Sequence, residues 1–575
     1  MFHSKKLSVV VKNLRVQWSL IRGLSIASNK EDIVIKSPMQ PLNYPKITID
    51  QFIWDKYSKW MNKIAVIDGV TDRCLTYAKL RDQCRTLAVH LRTSLNLKSR
   101  DTIAICLPNS LEFPIITFAA CEAQIVVTTI NPIYTADEIA RQLADSNATI
   151  LFGLATMSAI LKSAVDKTNK NIRIIYITEN EAEAIPNDGI KFNDLMISKV
   201  DLSALKEIDR DCYETTLLPY SSGTTGLSKG VMLSHMNMVS NCMHLCSPEM
   251  AHTFDAIGDY QDIIPCVLPM FHLYGLSLMF STLAQGCKLI TLKSFNPNTF
   301  LNTLEKHKAS VLYVVPPIII FFNNYDKIGP QHTQSIKYVL SGAAPLGGSD
   351  IEKFLKIAPN AKFLQAYGLT ETSPLTHACY KNTKSFAGVG SPVNDVESKI
   401  VKVDDPEFKG LGPNQSGEVL VRGPNIMIGY HNNEKATKET ITPDGWLRTG
   451  DVGYYDENQE FFITDRLKEL IKVKAYQVAP AELEEILRMH DEIVDAAVIG
   501  IPNAATGELP RAYIVPTSNS KINEKIVKDY VAQKVAEYKR LEGGVEIVDS
   551  IPKNATGKIL RRQLKEKYLK ENTSM

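Results

Sequence analysis

Short apolar runs closed by turn residues alternate with amphipathic stretches through the first two-thirds of the chain. Thr-Ile-Ala-Ile-Cys from Thr102 is continuously apolar and ends at Leu-Pro-Asn-Ser, the pattern of a buried strand and its turn. A helical stretch from Leu111 to Gln124 follows, then a β-rich run from Ile125 to Ile130 and the turn Asn-Pro-Ile-Tyr-Thr. Glu138, Arg141 and Gln142 interleave with Ile139 and Leu143 as an amphipathic helix, and Ala148 to Gly153 and Ile172 to Ile177 read as further strands. Strand and helix in alternation predict a parallel α/β architecture, in which ligands sit beyond the carboxyl ends of the strands.

The pattern recurs later. Val311 to Val315 stops at Pro316-Pro317, Lys337 to Leu340 runs into Ser341 to Gly347, and Lys362 to Leu364 runs into Gln365 to Glu371. From Ser416 the texture becomes β-rich with tight turns, and two strands flank an Asp-Glu-Asn turn after Asp451. Beyond Asp465 come two helical patterns, Pro480 to Leu487 and Glu524 to Glu537, with short strands at Ala496 to Ile499 and Ala512 to Val515. A domain boundary is expected at Asp465, dividing residues 25–465 from residues 466–575.

Composition narrows the class. A chain of 575 residues exceeds one core, so several domains are expected. A net charge of +2 gives no global attraction for nucleic acid, and no apolar run approaches the roughly 20 residues of a membrane-spanning helix. The ten cysteines include no C-x-x-C pair, which suits reduced thiols rather than a disulfide framework. Cys242, His244 and Cys246 have metal-like spacing, but on a helix His244 leaves the face of the two thiols, which makes core thiols the better reading. Ahead of Glu31 there is no acid. Lys5, Lys6, Lys12, Arg15, Arg22 and Lys30 are basic, and Leu7, Val11, Leu14, Trp18 and Ile21 share a helical face. Residues 1–24 are therefore expected to be a mitochondrial presequence, with cytoplasmic residence as the alternative. The last three residues are not a Ser-Lys-Leu signal.

The chemistry centres on Leu217 to Gly230, where Ser221, Ser222, Thr224 and Thr225 interleave with Gly223 and Gly226 and close on Lys229. Glycines free backbone N–H groups to turn toward an anion, hydroxyls add donors, and the lysine adds charge. Taken alone, the composition also suits a solvent loop. Tyr367 is placed to stack a planar base, Glu371 to hold Mg²⁺, and Asp451 either to accept both hydroxyls of a ribose or simply to close a turn.

The ordered set S-S-G-T-T-G-L-S-K-G, P-M-F-H-L-Y-G, Q-A-Y-G-L-T-E, G-W-L-R-T-G-D, D-R-L-K-E-L-I-K and P-K-N-A-T-G-K, from Ser221 to Lys558, resembles the adenylate-forming enzymes. These are the acyl-CoA synthetases, 4-coumarate–CoA ligases and luciferases. The resemblance implies an N-terminal domain of two α/β subdomains plus a β-barrel, and a small mobile α+β C-terminal domain. It implies ATP, Mg²⁺ and coenzyme A acting on a small carboxylic acid, through an acyl-adenylate to a thioester. The residues from Ser221 to Lys229 would hold the β- and γ-phosphates. Gln365, Ala366, Tyr367 and Gly368 would lie along the adenine, with Thr370 at the α-phosphate, Glu371 on Mg²⁺, and Asp451 and Arg466 on the ribose. Lys558 would meet the developing charge and His272 the acyl carboxylate. The acyl group would lie against Tyr274, Leu278, Ser341, Gly342, Ala343 and Leu375. Lys468 would be the hinge whose rotation brings Lys472, Lys474, Ala475 and Gln477 in for the thioester step.

Three departures from the family pattern stand out: Ser228 for a proline, Ala366 for a glycine beside the acyl pocket, and Ala475 for a glycine flanking the coenzyme A tunnel. Ser240 and Leu278 replace residues of the luciferin pocket, which disfavours light emission. A binding-only member is disfavoured by the presence of Lys229, Glu371, Asp451, Arg466 and Lys558. The expected acid is fatty first and aromatic second.

Overall fold

The structure is a computed structural model that describes residues 32–572 except 181, 198, 207, 222–227, 251, 381–382, 384–385, 404, 475 and 519. The expected presequence, Ala475, and Ser222, Gly223, Thr224, Thr225 and Gly226 of the phosphate loop lie outside the described residues.

Five sheets organise the chain. In the nine-stranded first sheet, Val126–Thr129, Thr102–Cys106, Ala148–Leu154 and Arg173–Ile177 run parallel, as their apolar runs predict. Thr215–Leu217 joins them in parallel, and Lys229–Ser234 folds back antiparallel beyond it. A four-stranded sheet pairs Ile64–Asp68, Lys288–Thr291 and Ile263–Cys266 in parallel. The third sheet sets Val311–Val314, Tyr338–Ser341 and Lys362–Gly368 in parallel.

Two helices between these sheets carry almost no polar face. Every residue of Glu112–Glu122 is buried, as is every residue of Leu273–Ala284 except Tyr274. A helix that is apolar all round needs cover on all sides; each packs on a sheet and against neighbouring helices, Tyr77–Arg92 and Ile49–Trp54 for the first, His235–Leu245 and Ile49–Trp54 for the second. Phe118 meets Trp54 and Phe280 edge to face, with ring centroids 5.6 and 5.3 Å apart. One continuous core results, from Val66 through Ile103 to Val311.

The barrel implied by the resemblance takes the form of a five-stranded antiparallel sheet ending in Gly417–Arg422, Leu447–Tyr455 and Phe461–Arg466. Phe461 bridges to Gly390, tying this sheet to the third. Beyond Arg466, a separate five-stranded sheet built on the long hairpin Ile493–Asn503 and Gly507–Pro516 encloses its own core, including Leu483, Val498 and Ile514.

Two local expectations are corrected. Pro316-Pro317 does end a strand, but it also opens the helix Pro316–Asn324, where a missing N–H costs nothing. Gln365 to Gly368 is not loop but the end of the strand Lys362–Gly368, because Ala366 and Tyr367 pair antiparallel with Ala378 and His377. The Cys242–His244–Cys246 spacing holds no metal cluster among the described residues. His244 Nε2 is instead 2.9 Å from the Tyr44 hydroxyl.

Among the described residues four histidines are fully enclosed: His235, His244, His252 and His377. Burial lowers the pKa of His235 and His252 to about 4, and of His244 and His377 to about 3. Below pH 6.5 the unfolded chain binds protons at these positions that the native protein refuses. Their effect is therefore absent above that pH and destabilises increasingly as pH falls toward 4, by up to about 1.4 kcal/mol per pH unit for each histidine. The midpoint of urea unfolding should drop progressively from pH 7 to pH 5. A constant midpoint across that range would show that these imidazoles accept protons in the folded state.

Candidate active site

The carboxyl ends of the parallel strands open onto one cleft of about 870 Å³. Its floor is fixed by two buried polar ties. Asn109, in the turn after Thr102–Cys106, donates to the carbonyls of Cys266 and Leu268 at 3.0 and 2.9 Å and accepts from Met270 N–H at 2.7 Å. Thr129 Oγ1 donates to Phe271 O at 2.6 Å. Together they lock the first and second sheets at the loop that delivers His272.

His272 caps the helix Leu273–Ala284. Its Nδ1 accepts from Tyr274 N–H at 3.3 Å, which leaves the ring proton on Nε2. Burial lowers its pKa to about 4, so the ring is a neutral donor in the cleft. Tyr274 lies beside it, with its hydroxyl donating to Leu340 O at 3.2 Å. The apolar end of the cleft is completed by Gly342, Ala343, Ala366 and Leu375. A Cβ at Gly342 would touch the Tyr274 ring and Ala366 O at 3.4 Å, so a larger residue there would crowd the wall.

The opposite end is polar. Lys229 and Ser221 enter from neighbouring antiparallel strands, and Thr370 and Glu371 from the short turn after Gly368. Ser221 Oγ and the Tyr430 hydroxyl each donate to Glu371 Oε1 at 2.9 Å. Arg466 Nε pairs with Asp451 Oδ1 at 3.0 Å, while the Tyr367 hydroxyl donates to Asp451 Oδ2 at 2.7 Å.

Lys558 reaches the same cleft from the C-terminal unit, and its loop is shaped for that approach. Asn554 Oδ1 accepts from the N–H groups of Thr556 and Lys558 at 3.0 and 2.9 Å. Gly557 has φ +75°, and a Cβ there would lie 2.7 Å from Pro317 Cγ. Only glycine suits both the backbone conformation and the contact. A second contact between the two units is Arg488 Nε with Asp350 Oδ2 at 3.5 Å. Burial and the neighbouring Arg466 lower the Lys558 pKa to about 8.

Several sequence expectations change place. Gln365 is buried and donates to Phe386 O at 2.6 Å, since strand alternation turns it away from the cleft that Ala366 borders. Asp451 sits behind Tyr367 and Arg466, which occupy its two oxygens, and it is only 4% exposed. Leu278 is one turn deeper in its helix and Ser341 lies within its strand end; both are buried away from the cleft. Lys472, Lys474 and Gln477 are exposed on the short C-terminal hairpin and do not line the cleft, whereas the exposed Lys468 does. Tyr430 escaped the sequence reading because nothing near Gly429 marks it. Only its pairing with Val231 brings it to Glu371 and Lys229.

Residues 53–431 match the AMP-binding enzyme family and residues 482–558 the AMP-binding enzyme C-terminal domain. 4-Coumarate–CoA ligase 1 of Solanum tuberosum is 35% identical over 543 residues, 93% of this chain and 96% of that one. Peroxisomal OPC-8:0-CoA ligase 1 of Arabidopsis thaliana is 37% identical over 527 residues, 90% and 93% of the two chains. Among solved structures, ATP-bound MatB from Rhodopseudomonas palustris superposes with a TM-score of 0.80 at 26% identity, covering 91% of this chain and 98% of that one. The chain thus belongs to the AMP-binding enzyme family, carrying its AMP-binding region and, after it, its C-terminal domain.

Proposed function

We propose that the protein is an AMP-forming acid–CoA ligase. The observation that carries this reading is the entry of Lys558, from the C-terminal unit, into the cleft lined by Lys229, Thr370, Glu371 and Arg466. In the first step a carboxylate oxygen attacks the α-phosphorus of ATP. A new P–O bond forms, the α–β bridging P–O bond breaks, and pyrophosphate leaves. Charge accumulates on the α-phosphoryl oxygens, where the Lys558 ammonium and the Thr370 hydroxyl stabilise it. His272 Nε2–H orients the carboxylate without adding charge. Arg466 and Tyr367, buttressed by Asp451, hold the nucleoside end. In the second step the thiol of coenzyme A gives up its proton to water, its sulfur attacks the acyl carbonyl, and AMP leaves with the C–O bond electrons.

Glu371 suits Mg²⁺. It offers a hard carboxylate oxygen beside a phosphate-sized space, and one carboxylate completed by phosphates and water is the usual magnesium arrangement. Bound there, the ion would neutralise phosphate charge. For the second step, rotation about Lys468 would withdraw Lys558 and turn Lys472, Lys474 and Gln477 inward, so that one cleft serves two reactions.

The acid is apolar. Among the described residues the acyl end carries no ionisable side chain apart from the neutral His272 and the Tyr274 phenol, whose pKa burial raises. Ala366 narrows the wall beside Gly342, which favours a slim aliphatic chain over a broad ring; a fatty acid is the first choice and an aromatic acid the second. The printed names of the relatives include both a 4-coumarate ligase and an OPC-8:0 ligase, in keeping with an apolar acid.

Incubation with ATP, Mg²⁺, coenzyme A and a panel of carboxylic acids should yield AMP and thioesters by mass spectrometry, with medium to long aliphatic acids ahead of cinnamic-type acids. A peak at acetate, or no thioester from any acid, would overturn the reading.

Half-reactions separate the roles of the two domains. Gly557→Ala should reduce ATP–pyrophosphate exchange by roughly tenfold or more, since a Cβ at positive φ meets Pro317. Thioester formation from synthetic acyl-adenylate should stay within about twofold of the unmutated protein. Equal loss in both half-reactions would contradict the assignment of that loop to the first step alone.

The kcat/KM of adenylation should fall above about pH 8 as free-enzyme Lys558 loses its proton. The same descending limb should be missing when thioester is made from preformed acyl-adenylate.

A further inference from the structure

Lys229 and Glu371 face one cleft with opposite charges, yet no ion pair joins them among the described residues; Tyr430 stands between them. Its strand, Gly429–Tyr430, pairs with Lys229–Ser234 in the register Val231↔Tyr430, and His431 N–H donates to Gly230 O at 2.8 Å. The tyrosine backbone is therefore clamped two positions from Lys229. Its hydroxyl donates to Glu371 Oε1 at 2.9 Å, and its ring centroid lies 4.8 Å from Lys229 Nζ.

The two contacts are physically different. The hydrogen bond, together with that from Ser221, engages one carboxylate oxygen twice and fixes the plane of the carboxylate. Among the described residues Oε2 has no donor, which leaves it for a cation. The ring face attracts the ammonium through its quadrupole without neutralising it. A direct Lys229–Glu371 salt bridge would consume the charge that each needs for phosphate and metal. Tyr430 is only 8% exposed, and its hydroxyl is committed as a donor to Glu371.

Building on the ligase reading above, we infer that Tyr430 is a positioning residue that holds Glu371 toward a divalent cation and Lys229 toward the ATP polyphosphate while keeping the two from pairing with each other. Removing the hydroxyl frees the carboxylate and retains the ring. Removing the ring as well lets the ammonium swing onto the carboxylate.

The test is equilibrium binding of a fluorescent ATP analogue to the full chain, titrated with and without Mg²⁺, with thermal unfolding recorded in parallel. Tyr430→Phe should leave metal-free nucleotide affinity within about twofold and raise the Mg²⁺ concentration for half-maximal tightening by roughly five- to tenfold. Tyr430→Leu should in addition weaken metal-free nucleotide binding by about fivefold or more. Replacing Glu371 by Gln in the Tyr430→Leu background should restore part of that metal-free affinity, because the competing carboxylate is gone. Tyr430→Phe folds around the same ring, so it carries the test if the leucine variant does not fold. An unchanged Mg²⁺ dependence in Tyr430→Phe, with the unmutated protein binding MgATP, overturns this assignment and leaves the ligase reading intact. No MgATP binding by the unmutated protein overturns both.

Discussion

The structure depends on bringing three cations to one cleft and restraining each of them there. Lys229, Arg466 and Lys558 come from different sheets or units and would each find an acid if left free. Each is restrained in its own way. Arg466 is held by Asp451, whose second oxygen is taken by Tyr367. Lys229 rests over the ring of Tyr430. Lys558 is delivered by a loop that Asn554 and Gly557 bend into place, and burial beside Arg466 draws its pKa to about 8. Cations already close together and partly desolvated present a strong field to a polyphosphate, because little reorganisation remains when the ligand arrives.

That convergence is possible because the parallel strands of separate sheets end at the same place. The apolar helices Glu112–Glu122 and Leu273–Ala284 fill the space between sheets, and Asn109 and Thr129 tie the loops at their ends. The N-terminus of Leu273–Ala284 is therefore held at the cleft, and a neutral His272 caps it. A charged imidazole there would oppose the positive end of the helix dipole as well as pay for desolvation, and the lowered pKa follows from this enclosure.

The C-terminal unit brings Lys558 and the loop before it to the cleft. Gly557 lies against Pro317, Arg488 pairs with Asp350, and Ala481 N–H donates to Asp465 Oδ2 at 3.0 Å. The exposed hairpin bearing Lys472, Lys474 and Gln477 does not line the cleft.

Much of this was legible in the order of residues. Apolar runs such as Thr102–Cys106 and Val311–Val314 are buried on both faces, so their hydrophobicity marked them as buried strands and their alternation with helices as parallel ones. Loops of small residues and isolated lysines marked the phosphate chemistry, and their spacing identified the family resemblance. What a side chain faces is a different matter, because strand alternation and distant pairing decide it. Gln365 and Tyr367 are two residues apart, yet one braces Phe386 O and the other borders the cleft, through the antiparallel pairing at Ala378 and an irregularity at Gly368. Asp451 became a support rather than a lining residue because Tyr367 and Arg466 stand before it. Tyr430 acquired its place only when its strand paired with Lys229–Ser234, a contact between segments nearly two hundred positions apart in the chain that no local pattern encodes.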